Sequence, residues 1–199
     1  MFANRNAFFY MLDRTTGKVI YGKPFARTSW AEALGPDGRP IILNPDGSKG
    51  CVPDVWGATN TMPPSFDPAL RLFFVTARET CTFFTPTGKR QSEEPRTGAL
   101  RAIDAVTGQR RWEVAYPTPG MSGVMSTASG VVFAGDNEGN FMAFDARTGK
   151  NLWFYPTGSA IWGAAPMTYM LDGRQHVIIG SGTTVTAFGL PDDPATRAR

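Results

Sequence analysis

An all-β fold is predicted by three features of this sequence: a turn motif that recurs three times, aromatic and β-branched residues on either side of it, and a composition heavy in turn formers. The chain has 199 residues, with 22 Gly, 16 Pro and 14 Phe; 42% of its residues are hydrophobic and 19% charged. These proportions describe a soluble globular chain of short strands and turns. The length suits one domain or a large piece of one.

Three segments align without gaps: Met11 to Tyr21, Ala102 to Trp112 and Ala143 to Trp153. Each reads apolar-Asp-x-x-Thr-Gly-x-x-x-aromatic. The pattern predicts a β-hairpin in which Asp13, Asp104 and Asp145 accept backbone hydrogen bonds at the turn. Gly17, Gly108 and Gly149 supply the positive φ that closes it. Tyr21, Trp112 and Trp153 then return on the second strand. Another strand and turn are legible before the third hairpin, where Val131 to Gly135 enters Asp136-Asn137-Glu138-Gly139-Asn140.

Asp104 and Asp145 are 41 residues apart, and Asp13 and Asp104 are 91 apart, about twice as far. A divergent repeat is therefore expected between the first two hairpins, with Ser65 to Val75 in the place of its strands. A period of about 40–45 residues with several short strands in each is the signature of propeller blades. No helical periodicity lies between the hairpins to suggest a solenoid. Three to four blades are predicted over residues 1–190, followed by a polar tail at 191–199. The Gly- and Pro-rich stretch from Pro24 to Asp54 reads as a surface excursion between blades.

Several function classes are excluded. The net charge is +3 and the basic residues are interspersed with acidic ones, which argues against nucleic-acid binding. No apolar run approaches the roughly 20 residues of a membrane span, and the first residues lack the pattern of a signal peptide. With His176 the single histidine, histidine-rich metal sites are excluded and a Ser-His-Asp triad is disfavoured. Asp136 to Asn140 superficially resembles a calcium loop, but the twelfth position is Arg147 where an EF-hand needs a bidentate Glu. The two cysteines, Cys51 and Cys81, are either bonded to each other or both free.

The third repeat, Ala143 to Trp153, resembles the tryptophan docking motif of the PQQ-dependent (quinoprotein) alcohol dehydrogenases, in which each blade's tryptophan packs on its neighbour. Trp112 and Trp153 fit the motif and Tyr21 fits it in part. Further segments resemble the family in its order: Asn4 to Arg14, Gly57 to Asn60 with Pro64 to Pro68, and Gly158 to Trp162 through Pro166 to Tyr169.

The resemblance implies an eight-bladed propeller with pyrroloquinoline quinone (PQQ) near its axis, oxidising alcohols or sugars, of which this chain is the C-terminal portion. It matches Arg5 to the arginine at the quinone's reactive oxygens, where a guanidinium stabilises developing negative charge. It matches Asn60 to an asparagine lining the same pocket, an amide that hydrogen-bonds without adding charge. It places an intrachain disulfide at Cys51 and Cys81, and with it an oxidising compartment such as the periplasm.

Departures from the family pattern are Thr61 and Met121, each where the family often carries Trp, and a short segment from Ser181 to Phe188. The family's ligands for calcium or another metal ion, its aspartate base and its quinone-stacking tryptophan have no counterpart here. No catalytic residue is therefore assigned to this chain, which is expected to be inactive alone. Its expected partners are N-terminal blades or a chain supplying them, and a cytochrome or quinone as electron acceptor. A non-catalytic propeller of the same repeat, serving as a protein-binding scaffold, is the alternative.

Overall fold

Each of the three motif segments closes a hairpin of the same geometry in the computed structural model, which describes residues 1–43, 51–84, 87–88, 90–91 and 96–190. Asp104 shows the pattern. Its Oδ1 accepts the N–H groups of Val106 and Thr107 at 2.9 Å, and its carbonyl accepts Gly108 N–H at 2.8 Å. Asp13 and Asp145 repeat these bonds with Thr15, Thr16 and Gly17, and with Arg147, Thr148 and Gly149. In all three the register slips one residue before the aromatic, so that Met11 pairs with Tyr21, Ala102 with Trp112 and Ala143 with Trp153. One motif thus fixes turn, bulge and ring position together.

The described residues form no helix, and so none that could cross a membrane as one. They form four antiparallel sheets of three, four, four and three strands, and two two-stranded hairpins. The first sheet comprises Phe2–Ala3, Phe8–Leu12 and Val19–Pro24; the second, Ser65–Asp67, Leu72–Glu79, Thr97–Asp104 and Arg110–Tyr116. The third comprises Val124–Ser126, Val131–Gly135, Asn140–Asp145 and Asn151–Pro156, and the fourth Met167–Leu171, Arg174–Ser181 and Thr184–Gly189. These are the blades of a partial propeller.

The divergent repeat expected near Ser65 to Val75 does not form a blade of its own. Ser65–Asp67 and Leu72–Glu79 are the first two strands of the sheet that the Asp104 hairpin completes, with Leu72 opposite Asp104. The long spacing between Asp13 and Asp104 comes instead from connections. One holds the hairpin Ala31–Leu34 with Pro40–Ile42, and another the pair Phe83–Phe84 with Arg90–Gln91. The first hairpin gives part of the Pro24 to Asp54 excursion regular structure. It is tied back to the first sheet by Trp30, whose Nε1–H donates to Asn6 O at 3.1 Å. The tail at 191–199 lies outside the described residues.

Three apolar cores join the sheets in sequence. Strand Leu72–Glu79 is buried on both faces because successive side chains alternate. Phe73, Val75 and Ala77 meet Phe9, Phe25 and Ala58 on the side of the first sheet. Leu72 and Phe74 meet Val132, Met142 and Phe144 on the side of the third. Phe141, Ile161 and Ile179 join the third sheet to the fourth. Arg101, 5% exposed, adds a buried polar link: it pairs with Glu79 at 2.7 Å and Glu113 at 2.6 Å, and donates to Phe25 O at 2.7 Å. Both charges of the inner pair are hydrogen-bonded, the condition under which burial of an ion pair is tolerated.

Candidate functional site

The loop from Asp54 to Asn60 collects the predicted site residues. Arg5, far away in the chain, donates a guanidinium hydrogen bond to Val55 O, and its own carbonyl accepts Ala58 N–H at 2.9 Å. Asn60 Nδ2 donates to Trp56 O at 2.9 Å. The contact requires glycine at position 57: its φ is +80°, and a Cβ there would stand 2.8 Å from Arg5 Cβ. Arg5 is exposed and Asn60 half-buried, while the residues between them, Gly57, Ala58 and Thr59, are buried. The backbone is therefore a fixed support for two reachable donors.

Around this support lie groups that were not singled out in the sequence. Asp54 is buried and its Oδ1 accepts Trp56 N–H at 2.9 Å, shaping the loop. Arg78, on strand Leu72–Glu79, donates its backbone N–H to Ala58 O at 2.7 Å and Nη1–H to Met121 Sδ at 3.0 Å. Burial holds its pKa below the usual arginine range; Asp54 opposes that shift and Arg96 adds to it. Met121 in turn bridges to Trp162, whose indole is 56% exposed. Arg78 thus connects the Arg5 loop to the segments around Met121 and Trp162. Its signal in the sequence was weak: an arginine directly after the mostly apolar run Leu72 to Ala77, near the end of a strand that is buried on both faces, where a charge is normally paired.

Cys51 and Cys81 are bonded, with their Cα atoms 4.8 Å apart. The bond ties the start of the loop to the residue following Thr80, so loop and strand are braced together.

The aromatic residues of the repeat divide into two groups. Trp112 Nε1–H donates to Ala146 O at 2.9 Å, and its ring covers Gly149, where a Cβ would come within 2.7 Å of the indole. Tyr21 makes the same contact one sheet earlier: its hydroxyl donates to Ala105 O at 2.7 Å, and its ring lies 2.7 Å from a Cβ built at Gly108. Trp153, expected to be buried in the same way, is 39% exposed and meets Phe141, Tyr155 and Phe188 instead. The physical reason is that the fourth sheet has no Asp-x-x-Thr-Gly turn to receive it.

Among the described residues no three His, Cys, Asp or Glu side chains gather as a metal site. A separate concavity lined by Lys23, Phe25, Arg27, Glu79, Arg101 and Arg110 contains neither Arg5 nor Asn60. The Glu79–Arg101 pair occupies its polar wall.

Comparison with known proteins agrees with this architecture. The family model described as the glucose/ethanol/alcohol dehydrogenase β-propeller domain, PQQ, matches residues 113–177. The quinohemoprotein alcohol dehydrogenase of Comamonas testosteroni is 36% identical over 209 aligned residues, covering 90% of this chain and 29% of that protein. The lanthanide-dependent methanol dehydrogenase of Methylacidiphilum fumariolicum is 31% identical, covering 96% of this chain and 36% of that protein. The crystal structure of the Comamonas enzyme superposes with a TM-score of 0.81 at 34% identity, over 91% of this chain and 31% of that one. A europium-containing methanol dehydrogenase superposes at 0.75 with 31% identity, over 89% and 35%. The chain therefore spans about a third of the length of these relatives.

Proposed function

Since this chain belongs to the PQQ-dependent (quinoprotein) alcohol dehydrogenase family, we propose that it is the C-terminal portion of such an enzyme and supplies one wall of its quinone pocket. The observation that carries this reading is the convergence of Arg5 and Asn60 on a single braced loop. The donor set suits the cofactor: PQQ is a flat, anionic quinone, and the loop offers a guanidinium, an amide and the neighbouring exposed indole of Trp56.

When bound, PQQ accepts the two electrons removed from an alcohol or sugar carbon. Arg5 would hold the quinone's oxygen edge, where its fixed positive charge favours the electron-rich form. Asn60 would orient the ring through a neutral hydrogen bond, which leaves the local charge balance unchanged. The Cys51–Cys81 bond would hold both donors at a constant distance from Arg78 and Met121. We assign the metal ion, calcium or a lanthanide, together with the proton-accepting carboxylate, to blades outside this chain. A cytochrome or a quinone would accept the electrons. The disulfide supports folding in an oxidising compartment, and the periplasm is the compartment proposed.

The test is reconstitution. The chain alone, supplied with PQQ, calcium or lanthanum, alcohols, aldoses and a dye acceptor, is expected to give no substrate-dependent reduction. Addition of the remaining blades, as a co-expressed segment, is expected to restore turnover. Arg5→Ala in the restored protein is expected to lower it about a hundredfold, the effect of removing one oxyanion-stabilising donor. Turnover by the chain alone, or full activity of Arg5→Ala, would overturn the proposal.

A further inference from the structure

Strand Leu72–Glu79 presents Thr76 and Arg78 on the face opposite Val75 and Ala77. Thr76 Oγ1 donates to Ser122 O at 2.8 Å. Among the described residues Arg78, 2% exposed, forms no ion pair, and its one side-chain hydrogen bond there runs to the Met121 thioether. A thioether is a weak acceptor for a guanidinium. Arg78 Nε, Thr59 Oγ1 and Thr80 Oγ1 are all buried, and each is without a hydrogen-bond partner among the described residues. Three orphaned polar groups are thus carried by one strand, by the residue that follows it and by the loop that its backbone grips at Ala58.

No carboxylate lies within ion-pair distance of Arg78 among the described residues. Asp54 acts on Arg78 only through space, and Arg96 adds a second positive charge. Buried cations are normally matched by a hydrogen-bonded anion. The group whose shape answers an unpaired guanidinium is a carboxylate, with two oxygens for the planar fork and lone pairs left to accept from hydroxyls such as those of Thr59 and Thr80. Met121 covers the guanidinium with an unbranched, flexible side chain, which is well suited to moving aside.

We propose that Arg78, with Thr59 and Thr80, is a subsite for one carboxylate of a bound ligand, entered when the Met121 side chain leaves the guanidinium. The inference rests on the reading of the Arg5 loop as a quinone-pocket wall. Two ligands carry the required group: PQQ itself, which has three carboxylates, and a hydroxy acid as substrate.

The full 199-residue chain is the material for the test, with thermal melting and tryptophan fluorescence as readouts. It is titrated at constant ionic strength with PQQ, with the PQQ trimethyl ester, with glycerate and with glycerol. A carboxylate-bearing ligand is expected to raise the melting temperature and its esterified or neutral counterpart to leave it unchanged. Arg78→Gln is expected to weaken that ligand about tenfold or more, the share of one charge-assisted hydrogen bond. A response to PQQ without glycerate assigns the carboxylate to the cofactor, and a response to glycerate without PQQ assigns it to the substrate. Should Arg78→Gln fail to fold, Thr59→Val with Thr80→Val, which keeps the charge, is expected to weaken the same ligand several-fold.

Equal binding by the wild type and these variants, or no response of the wild type to either carboxylate, overturns the subsite. The Arg5→Ala variant separates this result from the fate of the wider reading. PQQ binding lost in Arg5→Ala but unchanged in Arg78→Gln removes the subsite and keeps the quinone wall. Binding lost in Arg78→Gln but unchanged in Arg5→Ala keeps the subsite and removes the role of Arg5.

Discussion

Trp112 and Trp153 hold the same position in two copies of one motif, yet they end in different surroundings. Trp112 is half-buried, hydrogen-bonded to Ala146 O and laid across Gly149 of the next sheet. Trp153 leaves 39% of its surface exposed and packs against the rings of Phe141, Tyr155 and Phe188. What differs is the receiver. The third sheet offers an Asp-x-x-Thr-Gly turn whose Ala146 carbonyl and Gly149 receive the ring, and the fourth sheet, which meets Trp153 with Phe188, has no turn of that sequence. Docking is therefore a property of two adjacent blades, and a motif read within one blade shows only the half that reaches out.

The glycine of the motif serves both halves. At Gly108 and Gly149 it adopts positive φ for its own hairpin and also leaves room for Tyr21 or Trp112 from the preceding sheet. At Gly17 a Cβ would meet nothing within 4 Å, so there only the turn requires it. An alanine at Gly108 or Gly149 would strain the backbone and displace the ring together.

The largest expected effect tests this comparison directly. Trp112→Ala removes a packed indole and leaves Ala146 O without its donor, and is expected to cost about 3–4 kcal/mol. Trp153→Ala is expected to cost about 1 kcal/mol or less, because partly exposed rings lose little on truncation. Urea denaturation of both variants measures the difference; equal losses would mean that the third sheet's tryptophan has a receiver after all.

The next effect concerns the boundary between the first and second sheets, where Tyr21 replaces tryptophan. There a Cys51–Cys81 bond spans 30 residues of sequence, and closing a loop of that length contributes about 3 kcal/mol in the chain-entropy description. Cys51→Ser with Cys81→Ser is expected to lower stability by that amount and to loosen the Asp54–Asn60 loop. Hydrogen exchange should show the loss of protection at Gly57 and Ala58, whose amides donate to Asp54 O and Arg5 O. Protection unchanged at both would show that Gly57 and the Arg78 strand hold the loop without the covalent brace.

Much of the fold was legible because its repeating unit is local. The Asp13, Asp104 and Asp145 turns close within a few residues, so their spacing announced hairpins and the 41-residue period announced blades. The misplaced repeat shows the limit of that reading. Ser65 to Val75 has the look of a strand pair, but its partner, Thr97–Asp104, is fixed by pairing across a connection that no local pattern specifies. Through resemblance Arg5 and Asn60 were marked as candidates, and the cysteines, which are bonded, as a pair. Arg78 was not, because its meaning depends on what lies opposite: only in the fold is its guanidinium buried with the Met121 thioether as its side-chain partner among the described residues.

The smallest expected effect is the response to acid, and it compares the turns with one another. Each motif carboxylate is held below the usual aspartate pKa by hydrogen bonds that favour its charged form. At Asp145 the leading donors are the Thr148 hydroxyl and then the Thr148 amide; at Asp104, the Thr107 amide; at Asp13, the Thr16 amide. As the pH falls, the unfolded chain takes up these protons first, at the ordinary value of 3.8, and the folded chain takes them up only at lower pH. The stabilisation from each turn is thus complete above about pH 5, and it fades as the pH drops through the folded pKa values. Asp145→Asn cannot titrate, so it should flatten the fall in stability between about pH 4 and pH 2 relative to the wild type. Asp13→Asn should flatten it by a similar increment, since both carboxylates lie in exposed turns and are both held by hydrogen bonds from the threonine three residues on. The two variants should part in another readout: the Trp112 ring lies on the Asp145 turn, and nothing lies within reach of Gly17 on the Asp13 turn. Near-ultraviolet dichroism of the indoles during the acid titration should therefore move with Asp145→Asn and stay with the wild type in Asp13→Asn. Identical spectra in both variants would mean that the Asp145 turn keeps its shape without the carboxylate, and that the ring is held by Ala146 O alone.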